Sequence, residues 1–487
     1  MKQGIRRRQG QLQGVLSLLS YVGVMMQFAS SVFFLAIPAF VFFPEEISWL
    51  KFFLVPGVLM FLGGLTLFLL FRRFRLASFS AIDGALVVVI SWIVTCLVSA
   101  IPVTLITGLG FTQSVFESVS GWTTTGLSVV DVIAAPRVLL MYRSIIQLAG
   151  GAGLVIIMLA AVQLPVGAGL YRAEGRNDQL VPNIVRSTKL VVLLYLSYAI
   201  LGSIAYRLAG MGWFDAVNHS FAAVSTGGFS TRVESIGYWD SSTVEAVTVV
   251  LMLLGNLNFL TGWLLLHGKI RAFLRNGEVR LFAVLFSLSS VVAYFLVTSG
   301  SYGGSKAVRV ALFEMATALT TTGFSTVGYG GWRPVGYMLL VSLMIVGGGS
   351  CSTAGGVKQF RIYLLYKSVV WEVKSIFLPR RAIQKRAIFH GEAPLFISDK
   401  DISTTGSFLF IYLALLSAGS MVLAAHGFSV KDSFFEMASA LGTVGLSLGI
   451  SSAEAPPAVL WTLTSGMLLG RLEIFVVFAA LGKLFRR

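Results

Sequence analysis

The chain has 487 residues, 56% of them hydrophobic and only 12% charged, with a mean hydropathy of +0.83 and a net charge of +16. A soluble domain carries about 25% charged residues, so this composition is that of an integral membrane protein. Two cysteines far apart in sequence and four scattered histidines exclude a disulfide framework, a CxxC metal site and a catalytic triad spacing, while "GWLLLHGKI" (262–270) has the wrong spacing for a nucleotide phosphate loop and ends in Ile.

Apolar runs of about 20 residues, enough to cross a ~30 Å hydrocarbon core, predict ten spans. They lie at about 15–43, 50–71, 84–107, 136–163, 190–210, 242–268, 281–300, 333–370, 403–425 and 456–481. The first exceeds a signal-peptide core and lacks a small-residue cleavage site, so it is expected to stay as a helix. Basic residues gather in alternate loops: "RRR" at 6–8, "RRFR" at 72–75, Arg172 to Lys189, Lys269 to Arg280, and Lys374 to Lys400. By the positive-inside rule these loops and both termini face the cytoplasm, which predicts a multi-pass protein of the cytoplasmic membrane. The same rule accounts for the excess positive charge, whose partner is membrane lipid. Nucleic acid is not expected, because no basic domain stands outside the loops.

Four related hexamers punctuate the spans: "TTTGLS" (123–128), "STGGFS" (225–230), "TTTGFS" (320–325) and "GTVGLS" (442–447). Aligned on Gly126, Gly228, Gly323 and Gly445, they are 102, 95 and 122 residues apart. Their lead-ins also match, as "FESVSGWTTTG" (116–126), "FEMATALTTTG" (313–323) and "FEMASALGTVG" (435–445), with "NHSFAAVSTGG" (218–228) departing. About eight helical residues rise only ~12 Å, so each lead-in must enter the membrane and return. Irregular backbone at that depth survives only when buried in protein or lining an aqueous cavity. Four such loops predict one central cavity with pseudo-fourfold symmetry.

Glycine lets carbonyls turn toward an axis, and rings of neutral carbonyls that replace an ion's hydration shell are the chemistry of a potassium filter. The expected filter residues are Thr124, Thr125, Thr226, Gly227, Thr321, Thr322, Thr443 and Val444, with the four glycines. Glu117, Glu314 and Glu436 read as braces that hydrogen-bond the loop backbone, with His219 replacing them in the second unit; a carboxylate ring for cations is the other reading. "GNLNF" (255–259) reads as polar glue between helices.

As one helix, the 333–370 span would be ~57 Å long, so it must break, and the obvious place is Gly347, Gly348, Gly349, Ser350, Cys351, Ser352, Thr353, Ala354, Gly355 and Gly356. Arg471 is expected in mid-span within "GMLLGRLEIFVVFAALG" (466–482), either facing a cavity or paired with a carboxylate of another repeat.

The hexamers, "YRSIIQLAGGAG" (142–153), "LYRAEG" (170–175) and "GGVK" within "GGGSCSTAGGVKQFR" (347–361) together resemble the Trk/Ktr/HKT superfamily of potassium transporters. The resemblance covers roughly residues 15–480, and two spans ahead of the first repeat look like the TrkH branch. It implies an all-α membrane protein of four span–pore-loop–span repeats around one ion pore, plus two extra N-terminal helices. The corresponding division is 1–75 for the N-terminal helix pair, then repeats at 76–170, 171–275, 276–380 and 381–487.

The resemblance also implies that the 347–356 loop and Arg471 form a gate beneath the filter. Function is then potassium uptake by a channel-like translocating subunit, with potassium as the transported ion, no nucleotide in this chain and no enzymatic activity. A homodimer and a separate cytosolic nucleotide-binding subunit of RCK/KTN type are implied as partners. Alternatives are a proton- or sodium-coupled symporter and a sodium-permeable member. Serine at a filter glycine goes with sodium passage in the family, and all four glycines are present here. Cys351 stands where the family's loop more often has glycine, and Val444 replaces a hydroxyl residue.

Overall fold

Long apolar segments can satisfy their backbone in lipid only as helices, and the computed structural model contains six helical segments long and apolar enough to cross a membrane. It describes residues 2–74, 81–153, 184–379, 384–390 and 393–485. Outside these lie the end of the expected 136–163 span, the "LYRAEG" stretch, parts of the basic loops, and the repeat boundaries near 75, 170 and 380.

The N-terminal pair is α1 (Lys2–Leu35) and α2 (Leu50–Phe71). They pack closely where Gly23 faces Gly64, since a Cβ on either would collide with the other's carbonyl oxygen. The first unit runs α3 (Ala81–Thr107), the short α4 (Phe111–Trp122) and α5 (Arg137–Ala152). The second comprises α6 (Ile184–Leu208), the short α7 (Trp213–Val224), α8 (Ser242–Asn256) and α9 (Phe259–Leu266), followed by a connecting helix α10 (Ile270–Arg275). The third has α11 (Gly277–Ala293), α12 (Gly304–Leu319), α13 (Pro334–Val346) and α14 (Gln359–Ile376). An antiparallel hairpin, β1 (Ala387–His390) and β2 (Ala393–Phe396), pairs Ile388 with Leu395. The fourth unit has α15 (Asp399–Ala425), α16 (Val430–Leu441), α17 (Pro457–Arg471) and α18 (Ile474–Phe485).

Of the ten predicted spans, six are single helical segments, the first with a turn at residues 36–38, and two are sharply bent, by 116° between α8 and α9 and by 101° between α17 and α18. The 333–370 segment is two helices separated by residues 347–358. The predicted 136–163 span is helical as far as Ala152, and residues 154–163 lie outside the described part.

Polarity is arranged opposite to that of a soluble protein. Large apolar side chains such as Leu59, Ile200, Val284 and Phe410 are exposed, while Glu117, His219, Glu314 and Glu436 are fully buried. Exposed apolar surface of this extent belongs in lipid, and the polar groups collect where helices meet. There, each unit's short helix packs between its preceding and following helices. The following helix also touches the next unit's short helix: α5 on α7, α8 on α12, α13 on α16, and α17 back on α4.

Candidate ion pathway

The short helices α4, α7, α12 and α16 all end in one way. Thr124, Thr226, Thr321 and Thr443 adopt left-handed backbone with φ of 54°, 51°, 52° and 49°. The amide after each threonine donates to a carbonyl five residues back: Thr125 to Ser120, Gly227 to Ala222, Thr322 to Thr317 and Val444 to Ser439, at 2.7–2.9 Å. Each threonine's own amide donates three residues back, at 3.1–3.3 Å. This is a Schellman ending, which normally places glycine at the left-handed position. A β-branched residue there is an outlier, and its fourfold repetition marks a built feature. The chain leaves the helix with its carbonyls no longer parallel to the axis, and the helix C-terminus brings partial negative charge to the same place.

The four glycines that follow are also left-handed, with φ of 96°, 72°, 84° and 97°. A Cβ on Gly126 would collide with the carbonyl oxygen of Gly227, one on Gly228 with Thr322, one on Gly323 with Val444, and one on Gly445 with Thr125. The sequence of neighbours runs through all four units and returns to the first. The hexamers, separated by about a hundred residues each, thus meet in one closed ring of backbone. Val444 enters it through its carbonyl while its side chain is buried.

Buried side chains brace each quarter. Glu117 accepts from the Val129 amide at 2.9 Å and from the Ser128 hydroxyl, and Arg143 Nε donates to it at 2.7 Å. Glu314 accepts from the Thr326 amide and hydroxyl at 2.8 Å and from the Tyr329 hydroxyl at 2.5 Å. Glu436 accepts from the Leu448 and Ser451 amides at 3.1 and 3.0 Å. His219, at the matched position of the second unit, bonds Ser230 through Nε2 at 3.0 Å. The bracing reading of these residues therefore fits their contacts. At the ring's rim, Arg309 on α12 bridges Asp240 and Glu245, tying the second unit to the third. Hydrogen bonds from Lys306 and Arg309 hold the Asp240 carboxyl below its ordinary pKa.

Gln147 had no role in the sequence pattern. Its Nε2 donates to the Gly227 carbonyl at 2.5 Å, and its Oε1 accepts from the Phe229 amide at 3.2 Å. It touches one ring carbonyl directly and makes the second quarter chemically distinct. Only its place in "YRSIIQLAGGAG", on the helix after the first hexamer, marks it in the sequence.

Residues 347–358 pack against the threonines. The Gly355 amide donates to Thr321 Oγ1 at 2.7 Å. Thr353 Oγ1 lies 3.2 Å from Thr226 Oγ1 and donates to the Gly255 carbonyl at 2.8 Å. A Cβ on Gly355 would meet Thr443 Oγ1 and the Gly442 carbonyl. Thr124 is the exception: its hydroxyl donates to the Thr123 carbonyl, as that of Thr226 also does to Ser225, and no hydrogen bond among the described residues joins it to the segment. The segment is folded on itself through Gly348 N–H to Gly355 O at 3.1 Å, with left-handed turns at Gly347, Cys351 and Gly356. The cysteine occupies a conformation that glycine takes without cost. Glu278 accepts from the Ser350 amide and hydroxyl at 2.9 and 2.7 Å, Asn256 O accepts from the Gly349 amide at 3.2 Å, and Ser352 donates to Gly349 O. Lys358 Nζ reaches the Ala354 carbonyl. "GNLNF" is therefore more than glue between helices: it forms the α8–α9 bend, with Asn258 capping α9, and holds this segment.

Arg471 was expected in mid-span, but it ends α17 at the 101° bend. Its Nη1 donates to the Thr353 carbonyl at 2.8 Å, and its Nη2 donates to the Gly150 and Gly151 carbonyls of α5. Glu473, left-handed at φ 63°, pairs with Arg361 at 2.7 Å.

Known proteins share this architecture. A family model described as TrkH, cation transport protein, matches residues 58–485. Trk system potassium uptake protein TrkH of Halomonas elongata is 33% identical over 415 residues, covering 81% of this chain and 84% of that protein. The protein of the same name from Escherichia coli K12 is 31% identical over 422 residues, covering 83% and 86%. The crystal structure of the potassium transporter TrkH from Vibrio parahaemolyticus superposes with a TM-score of 0.84 at 28% identity, covering 97% of this chain and all of that one. With a family model matched over most of its length, the chain belongs to the TrkH family of cation transport proteins, and it is a membrane transport protein rather than an enzyme.

Proposed function

We propose that this chain takes up potassium across the cytoplasmic membrane as the ion-translocating subunit of a Trk-type system. The observation that carries the reading is the closed ring in which each hexamer glycine abuts the carbonyl of the next unit. Such a ring offers an ion neutral oxygens on all sides, the chemistry suited to a weakly hydrated monovalent cation. The filter comprises the carbonyls of residues 124–125, 226–227, 321–322 and 443–444 at the four glycines. The segment 347–358 and Arg471 form the gate, and four repeats divided near residues 76, 171, 276 and 381 surround the pore.

Conduction needs no chemical step in this reading. An interior-negative potential supplies about 2.3 kcal/mol per charge per 100 mV, which concentrates a monovalent cation unaided. The buried carboxylates at the ring bond the backbone, which favours a channel over a proton-coupled carrier. The relatives' names speak of a system, consistent with control by a cytosolic nucleotide-binding partner and with a dimer of this chain; the termini and the basic loops then face the cytoplasm.

The test is ion flux in proteoliposomes holding this chain alone, under potassium, rubidium, sodium and lithium gradients. Potassium and rubidium are expected to pass ahead of sodium and lithium with no other gradient present. Flux that requires a proton gradient would replace the channel reading with symport.

A further inference from the structure

A crevice of about 310 Å³ opens on the outer face beside residues 347–358. Its walls are mostly apolar, including Leu254 on α8, Leu265 on α9, Phe273 on α10 and Phe282 on α11, and Asn258 and the buried Glu278 also line it. On the protein side it reaches Gly349 and Gln359. Its outer rim, at Val250 and Ala283, is exposed and continues into exposed Val284 and Leu288. Leu265 and Phe273 both line it, and the chain between them carries exposed Lys269 and Arg271. A mostly apolar slot open to the lipid side, with cations on the adjoining chain, complements a molecule with an anionic head and a hydrocarbon tail.

We propose that this crevice holds an acyl chain of an anionic phospholipid, its headgroup paired with Lys269 and Arg271, and that occupancy keeps residues 347–358 where they stand. The regulatory half rests on the reading of that segment as the gate. Part of the inner wall is set by this arrangement: Gln359 Nε2 donates to the Gly347 carbonyl at 3.0 Å, and the Gly349 amide donates to Asn256 O at 3.2 Å. A ligand that binds the arrangement with the wall intact shifts the population toward it. Anionic lipid should therefore lower potassium flux, by about fivefold at the lower end of ordinary coupling.

The experiment compares full-length protein in vesicles of phosphatidylcholine alone and of phosphatidylcholine with phosphatidylglycerol. Phosphatidylglycerol retained after purification is counted by native mass spectrometry, and potassium flux is read in both vesicles. Wild type should retain the lipid and conduct less in its presence. The surface variant Lys269→Gln/Arg271→Gln and the crevice-filling Ala283→Trp should lose both the retained lipid and the difference in flux. Equal retention by the surface variant and wild type would overturn the site. Retention without a flux difference, in a protein whose 347–356 deletion does raise flux, would overturn the regulation and leave the gate reading standing. Disulfide cross-linking of Ala283→Cys between two copies of the chain would assign the crevice to a protein interface and also overturn the lipid.

Discussion

A threonine held near φ +50° costs on the order of 1–3 kcal/mol, and the chain bears that strain at four matched positions. Glycine would remove the strain but also the hydroxyl, and two of the four threonines hydrogen-bond the 347–358 segment through theirs while that of Thr443 packs against Gly355. Thr321→Val tests this use. It keeps size and branching but leaves the Gly355 amide without its acceptor, a penalty of about 1–3 kcal/mol against the docked segment. Potassium flux should rise while the ranking of potassium, rubidium and sodium stays as in wild type. The glycines make the converse case. In Gly126→Ser or Gly323→Ser the new Cβ displaces the carbonyl of Gly227 or Val444, so preference for potassium over sodium should fall roughly tenfold, equivalent to about 1.4 kcal/mol, in a protein that still folds. Wild-type ion ranking in serine variants at all four glycines would remove the ring from the selectivity mechanism.

At the scale of elements, the break in the 333–370 segment was legible because length alone forbids a single helix, and glycine and small residues concentrate at one place. The α8–α9 and α17–α18 bends were less visible, since hydropathy is blind to direction and both segments read as continuous apolar runs. Asn258, which accepts from the Leu260 amide at 2.8 Å, is a helix-start signal that was present in "GNLNF". Nothing comparable announces the turn at Glu473. That turn matters for Arg471, since it sets the guanidinium between carbonyls of two other units instead of in the middle of a helix. Its contacts favour hydrogen bonding over charge repulsion as the way it acts. Arg471→Ala and deletion of 347–356 should each raise potassium flux without altering ion ranking. Arg471→Lys should leak as well, because a single ammonium cannot reproduce the fork that spans Thr353 and Gly150. A lysine variant as tight as wild type would return the gate to simple electrostatics.

Across the whole molecule, the alternation of basic loops predicts which surface meets which compartment. Asp240 lies between α7 and α8, and Arg271 lies on α10, beyond the α8–α9 bend. In a background with Cys96→Ala and Cys351→Ser, a single cysteine at 240 should react with an impermeant maleimide from outside intact cells. One at 271 should react only after permeabilisation. The reverse pattern would invert the topology and place the 347–358 segment on the external side of the ring. The closed circuit of the ring was legible only as repetition: matched hexamers showed that four like parts exist, but the neighbour order needed coordinates. Gln147, which distinguishes one quarter from the others, sits outside every repeated motif and gave no periodic signal.

The segment 347–358 meets the second, third and fourth units directly, and Arg471 extends its reach to the first through Gly150 and Gly151. A ring assembled from four identical chains would have to bring four copies of such a segment to one axis, where they would exclude one another. Four unequal quarters on a single polypeptide need bring only one. The third quarter can lend the segment, the fourth can lend the arginine, and the first can keep its threonine turned to its own backbone. Covalent fusion thereby permits a division of labour that strict rotational symmetry forbids.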